Sequence, residues 1–232
     1  MKFYRKGDDI MKFLKGLVVA LVLISVTGCI GGNRTVRDET ISEAYQSMQI
    51  ERGGISGYVL DLRVSGEING SSINEIVRIN NNNNNDFQIT YIDALNYEEN
   101  EQEFYIIDGV KYGQNSDGEY VETEKELRFS DTNLILEGLN NVVELSEPRQ
   151  ETIANNVYSV YDAVVRKDIV DEILESGNIN LIPEENVETK IYINEDGHVY
   201  RIIYNIEDLR LSASFFSIDN PRQVHLPESD DE

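Results

Sequence analysis

Residues 188–218 read ETKIYINEDGHVYRIIYNIEDLRLSASFFSI, and this stretch decides the fold. In its last part Leu209, Leu211, Ala213 and Phe215 alternate with Arg210, Ser212 and Ser214. A period of two sends successive side chains to opposite faces, which is the pattern of a strand over Leu209 to Phe216 buried on one side only. The same reading gives strands over Val187 to Ile193 and Val199 to Asn205, separated by a turn at Asp196-Gly197. Three such segments joined by short polar connections predict an antiparallel meander.

Working outward, the stretch GYVLDLRVSGEI from Gly57 follows the same rule. Tyr58, Leu60, Leu62 and Val64 alternate with Asp61, Arg63 and Ser65. Val77 and Ile79, then Phe87, Ile89 and Tyr91, continue it, and the run Asn80 to Asn85 reads as an exposed hairpin loop whose side chains bond their own backbone. Between them and the closing meander lies FYIIDGVKYGQNSDGEYVE, residues 104–122. Asp108-Gly109 predicts a type I′ hairpin turn, and Asp117-Gly118 repeats the pair before Tyr120. Val157 to Val165 reads as a further strand. A helix is expected over Thr40 to Ile50, with Thr40 and Glu43 as its capping box. A second, weak helix spans Leu134, Leu136, Leu139 and Val142 and is broken by Gly138. A third covers Lys167 to Ser176, with Gly177 as the residue that ends it. A last extended piece through Val224 and Leu226 precedes the acidic tail Glu228 to Glu232. About ten strands in hairpin order with few short helices predict an α+β fold: a single strongly curved antiparallel sheet with helices against one face.

The chain has 232 residues, 43 acidic against 20 basic, for a formal charge of -23. Nucleic-acid binding draws most of its affinity from Lys and Arg on phosphates, so this balance argues against it. The single Cys leaves no partner for an intrachain disulfide and no Cys-based zinc site. Carboxylates spread over most segments favour solubility at high ionic strength and suggest a salt-tolerant source. No GxSxG, GxxxxGK[ST] or HExxH pattern occurs, only His198 and His225 are present, and Asn194-Glu195-Asp196-Gly197 lacks the spacing of a calcium loop. No catalytic residue, cofactor or metal site is expected, and an enzyme is not.

The N-terminus carries a different message. Lys12 and Lys15 precede the apolar run Leu17 to Ile24, which is too short for a membrane span and has the length of a signal h-region. It ends in Val26-Thr27-Gly28-Cys29, which looks like the lipobox of prokaryotic lipoproteins and is preferred to an uncleaved signal anchor with a chance Cys. Signal n-regions being short, Met11 reads as the natural start. The expected organisation is a signal peptide over 1–28, a tether over 29–39 after lipidated Cys29, a domain over 40–227 and the acidic tail 228–232. Cleavage before Cys29 leaves 15 basic against 41 acidic residues on the exported part. Two acyl chains suffice for stable anchoring, so a place on the outer side of a cell membrane is expected.

GYVLDLRVSGEI, the central hairpins, the closing meander and the ending NPRQVHLP together resemble the LolA-like superfamily of lipoprotein carriers and lipid-binding lipoproteins, which includes the mycobacterial LppX/LprG group. The resemblance covers about Ile55 to Pro227. It departs in Tyr120, where many relatives have Trp, and in the Asn run. It implies an incomplete antiparallel barrel whose helices cover the concave face, a short final strand at the C-terminus, and a cavity that takes acyl chains. Alternation nominates Tyr58, Leu60, Leu62, Phe87, Ile89, Leu211 and Phe215 as lining residues, and the same residues serve equally as solid core. The leading expectation is a membrane-anchored lipoprotein that binds or carries an apolar ligand, a lipid or acyl chains. The alternative is a non-enzymatic cell-envelope interaction or sensor module with a filled core. The sequence nominates no protein partner.

Overall fold

Alternating segments become strands wherever one face can be buried, and among the described residues twelve do so. The computed structural model describes residues 38–50, 53–68, 70–82, 86–95 and 101–227. In chain order the strands are β1 (Gly57–Ile68), β2 (Ser71–Asn82), β3 (Phe87–Asp93), β4 (Glu101–Ile107), β5 (Val110–Gln114), β6 (Tyr120–Glu122), β7 (Val142–Leu145), β8 (Arg149–Ile153), β9 (Asn156–Val165), β10 (Val187–Asn194), β11 (Val199–Ile206) and β12 (Leu209–Phe216). They form one sheet in the order β6-β5-β4-β3-β2-β1-β12-β11-β10-β9-β7, with β8 also on β9. Every pairing is antiparallel and the sheet does not close. The β1 and β12 strands stitch the two meanders together, with Leu60 opposite Phe215 and Val64 opposite Leu211.

One face of this sheet, the inner face, carries the helices α1 (Glu39–Ser47), α2 (Thr132–Glu137) and α3 (Lys167–Ser176), and a 3₁₀ turn over Gly138–Asn141. Ile41, Ala44 and Tyr45 of α1, Ile135 and Leu136 of α2, and Val170, Ile173 and Leu174 of α3 are buried in one hydrophobic cluster with the inner residues of the sheet. This is the expected α+β arrangement of one open sheet and a thin helical layer.

Several local expectations are corrected. The first helix is capped by Asp38, whose Oδ1 accepts the Ile41 N–H at 3.1 Å, so Thr40 lies inside it. The Asn run is not simply a loop: β2 extends through Asn82, and Asn80 and Asn81 are buried, because strand pairing with Gly57 to Val59 carries them under cover. Residues 83–85 lie outside the described residues. The weak helix stops at Glu137 and tightens into the 3₁₀ turn, and Val142 already begins β7. At the end of α3 the left-handed residue is Asn178 (φ 55°), one later than Gly177, with Ile179 N–H donating to the Leu174 carbonyl. Gly177 is needed for space, since a Cβ there would overlap the ring of Phe129.

The hairpin turns divide into two kinds. Asp108 and Gly109 both have positive φ (52° and 80°) between directly paired Ile107 and Val110, the expected two-residue turn. At Asp117-Gly118 and Asp196-Gly197 only the glycine is left-handed. There an Asn two residues before the Asp takes over: Asn115 Oδ1 accepts from Asp117 and Glu119 N–H, and Asn194 Oδ1 from Asp196 and His198 N–H. The β7 and β8 strands were not foreseen, and neither was the Ala154-Asn155 turn, with φ of 49° and 72°. No strand forms over 217–227. That segment bonds the sheet through Asp219 N–H to the Gly57 carbonyl and through Asn80 Nδ2 to the Arg222 carbonyl.

Candidate functional site

The strand register gathers the seven nominated residues on the inner face. Phe87, Asn81 and Tyr58 form one cross-strand row, and Ile89, Ile79, Leu60 and Phe215 the next. Leu62 and Ala213 lie in a third, and Val64 and Leu211 in a fourth. Leu60, Leu62, Ile89 and Leu211 are fully buried, Tyr58 and Phe215 nearly so, and Phe87 is half-buried at the rim. Tyr58 meets Phe215 edge-on with ring centroids 5.3 Å apart. All seven touch the cluster that includes the helices. Four surface clefts of 380 to 630 Å³ on the described residues include none of them. The buried side chains of the helical layer and of the sheet belong to one continuous hydrophobic cluster.

Sequence reasoning missed what holds that layer down. Residues 127–141 run across the inner face and are fastened at four points by tyrosine hydroxyls. The Tyr58 O–H donates to Thr132 Oγ1 at 2.7 Å, the Tyr91 O–H to the Arg128 carbonyl at 2.8 Å, and the Tyr204 O–H to the Ile135 carbonyl at 2.9 Å. From the other side the Tyr45 O–H donates to the Glu137 carboxylate. Burial pushes the Tyr58 and Tyr204 hydroxyls up from their ordinary value, and burial pushes Tyr91 up to about 12 against the opposing Arg128 guanidinium. These groups therefore stay neutral donors at any ordinary pH.

The start of the same segment is fixed by charge and by shape. Arg128 forks onto Glu75 of β2 and lies over the Tyr91 ring at 5.1 Å. Phe129, next in sequence, is fully buried at φ 55°, a conformation that costs a bulky residue roughly 1–3 kcal/mol. Its ring fills the space that Gly177 leaves and its N–H donates to the Ser176 carbonyl at 2.9 Å, so packing against α3 imposes the strain. The signal in the sequence was the Tyr excess, 13 against seven Phe. Their hydroxyl partners are distant in sequence, and half of them are backbone carbonyls, which no residue pattern announces.

Val26, Thr27, Gly28 and Cys29 lie outside the described residues. Among those described, no helix is long and apolar enough to cross a membrane. No group of three or more His, Cys, Asp or Glu side chains there is placed to hold a metal ion.

No protein-family model matches the sequence, and no curated protein matches it. Solved structures do match in fold. The lipoprotein LppX of Mycobacterium tuberculosis superposes with a TM-score of 0.52 at 15% identity, over 80% of this chain and 98% of its own. LprF of Mycobacterium bovis superposes with a TM-score of 0.54 at 11% identity, over 82% of this chain and 95% of its own. The chain has the LolA-like fold that these two share.

Proposed function

We propose that this chain, folded like those two mycobacterial proteins, is a non-enzymatic, lipid-anchored export product that takes an acyl chain or other apolar ligand between its sheet and its helical cover. The observation that carries the reading is the inner face itself: rows of apolar side chains under a segment fastened largely by neutral tyrosine hydroxyls. The description of LppX as a lipoprotein agrees with it. On this reading residues 1–28 are removed, Cys29 carries the lipid, and residues 29–39 tether the domain 40–227 to the outer face of the membrane.

Because the inner residues of the sheet and of its cover pack in one buried cluster, the ligand enters by displacing residues 127–141. Each buried CH₂ contributes about 0.8 kcal/mol, so ten methylenes supply about 8 kcal/mol. Releasing four tyrosine hydrogen bonds into water costs roughly 2–6 kcal/mol net. The ligand term exceeds that cost, and the ligand's own surface packs against the cover where the sheet packed before. Tyr58, Leu60, Leu62, Phe87, Ile89, Leu211 and Phe215 would line the opened space.

The packing of cover and sheet in one cluster also favours a second reading, an envelope interaction or sensor module with a permanently filled core. One experiment separates the two. Native mass spectrometry of the protein from its own host, followed by lipid extraction, is expected to recover a bound acyl species. A fluorescent fatty acid should enter faster in Tyr58→Phe and Tyr204→Phe, which remove two fastenings. No extracted lipid and no uptake in any variant would leave the filled-core module. Separately, Cys29→Ser should release the protein from membranes.

A further inference from the structure

The opposite, outer face of the sheet carries a second feature. Odd residues of β1, even residues of β2 and β12, and the first part of β11 meet there in a groove of about 630 Å³. Its lining includes Arg63, Arg201 and Arg210 together with Ser65, Ser212 and Ser214. The register interleaves them: Arg63 lies opposite Ser212, Arg210 opposite Ser65, and Arg201 opposite Ser214. In a chain of net charge -23, three guanidiniums in one groove run against the general distribution.

None of the three has a carboxylate at ion-pair distance among the described residues. Arg63 donates from Nε to Asn74 Oδ1 at 3.1 Å, and Arg201 from Nε to Ser214 Oγ at 2.9 Å. Asp61 is the one acid in the lining, and both its oxygens are taken by the fork of Arg78 at 2.6 and 2.8 Å. A β-bulge aims Arg201 at the groove. Ile193 pairs with Val199 and Tyr192 with Arg201, so Tyr200 is the extra residue, and Arg201 and Tyr200 both turn outward. Tyr200 then stacks on Tyr158 at 4.4 Å and meets Phe216 edge-on at 6.1 Å, raising an aromatic wall at one end.

We propose that this outer groove is a binding site for a phosphate ester. A carboxylate is planar and is satisfied by one guanidinium fork, as Asp61 is by Arg78. A phosphate has oxygens on several sides and uses several forks and hydroxyl donors at once, which is what three arginines interleaved with three serines offer. The volume exceeds that of one phosphate, so the ester's organic part lies along the groove toward Phe216. The ester is either a soluble molecule or a lipid headgroup. The site lies on the face opposite the proposed acyl site and stands or falls independently of it.

The test is a titration of the full chain in detergent at low ionic strength with glycerol phosphate, followed by ³¹P NMR and by tyrosine emission, which no Trp obscures. Nanodiscs of phosphatidylcholine, with and without phosphatidylglycerol, form the second arm. Saturable binding is expected, weakened at least tenfold in Arg63→Ala/Arg210→Ala with an unchanged circular dichroism spectrum, and unchanged in Arg149→Ala, which is ion-paired on β8. Binding to glycerol phosphate alone identifies a soluble ester, and added retention on phosphatidylglycerol discs identifies a headgroup. A non-saturating response in both arms, or equal binding by the double variant, overturns the proposal.

Discussion

Replacing Gly138 by Ala tests the fastening of the cover at one atom. Gly138 sits at φ -52° and ψ -34°, a helical conformation that Ala accepts and that Gly to Ala would favour by roughly 0.5–1 kcal/mol. A Cβ there, however, would overlap the hydroxyl of Tyr204, whose side chain is fully buried and whose O–H donates to the Ile135 carbonyl. Pushing that hydroxyl aside leaves two buried polar groups unpaired, about 1–3 kcal/mol, with overpacking of similar size. Gly138→Ala should therefore destabilise by about 2–4 kcal/mol. Tyr204→Phe alone loses one hydrogen bond, about 1 kcal/mol. In the double variant the new Cβ meets only the ring, whose nearest remaining atom lies 3.1 Å away, a contact that a shift of a few tenths relieves. The pair should then cost less than Gly138→Ala alone, a coupling of about 2 kcal/mol. Urea unfolding followed by far-UV circular dichroism measures all three variants. Additivity within about 0.5 kcal/mol would refute the assignment of the Gly138 requirement to the Tyr204 hydroxyl.

Three further outcomes are expected. Arg128→Ala strips Glu75 of its partner and Tyr91 of its cation, and urea midpoints should show a loss of about 1–3 kcal/mol, discounted from a fully buried pair because both side chains keep some solvent contact. Above pH 10 stability should fall: the unfolded chain loses tyrosine protons near 10, whereas folded Tyr91 holds its proton to about 12, and Tyr58 and Tyr204 are likewise held neutral by burial. The contribution is intact below pH 10 and lost as the pH climbs through the folded values, so tyrosinate absorbance should appear together with unfolding. Thermal unfolding should move upward between low and molar salt, since screening relieves repulsion among the 43 acidic residues, and an unmoved midpoint would remove the argument for a salt-tolerant source.

Period-two alternation was legible because burial on one face is a local rule that each strand states for itself. Leu209 to Phe216 and Lys167 to Ser176 come out with the bounds read from sequence. The failures share a cause in contacts between distant segments. Asn80 and Asn81 look like loop residues alone, yet pairing with Val59 and Tyr58 draws them into β2 and under cover. Gly177 looks like a helix terminator, yet Phe129, 48 positions earlier, is what requires it. The charge pattern hid the outer groove in the same way. Arg63, Arg201 and Arg210 lie in three strands and become neighbours only through the pairing of β1 with β12 and of β12 with β11.

The choice of tyrosine under the cover bears on how the inner face can work. With Phe at 58, 91 and 204 the closed cover would lose three hydrogen bonds and take these donors from Thr132 Oγ1 and from the Arg128 and Ile135 carbonyls. With Tyr, each closed hydroxyl has a partner on the cover. On opening, each exchanges that partner for water, so the penalty is the net value of a hydrogen bond, about 1 kcal/mol, and not its gross strength. The strained Phe129 works in the same direction, because its release with the cover returns roughly 1–3 kcal/mol to the open state. A permanently filled core gains only stability from the hydroxyls and loses some to the strain at Phe129, whereas a face that must close without ligand and open for it makes use of both. Variants with Phe at all three positions should therefore take up a fluorescent fatty acid faster and to a higher equilibrium level than the parent, and an unchanged or lower level would assign these tyrosines to packing alone.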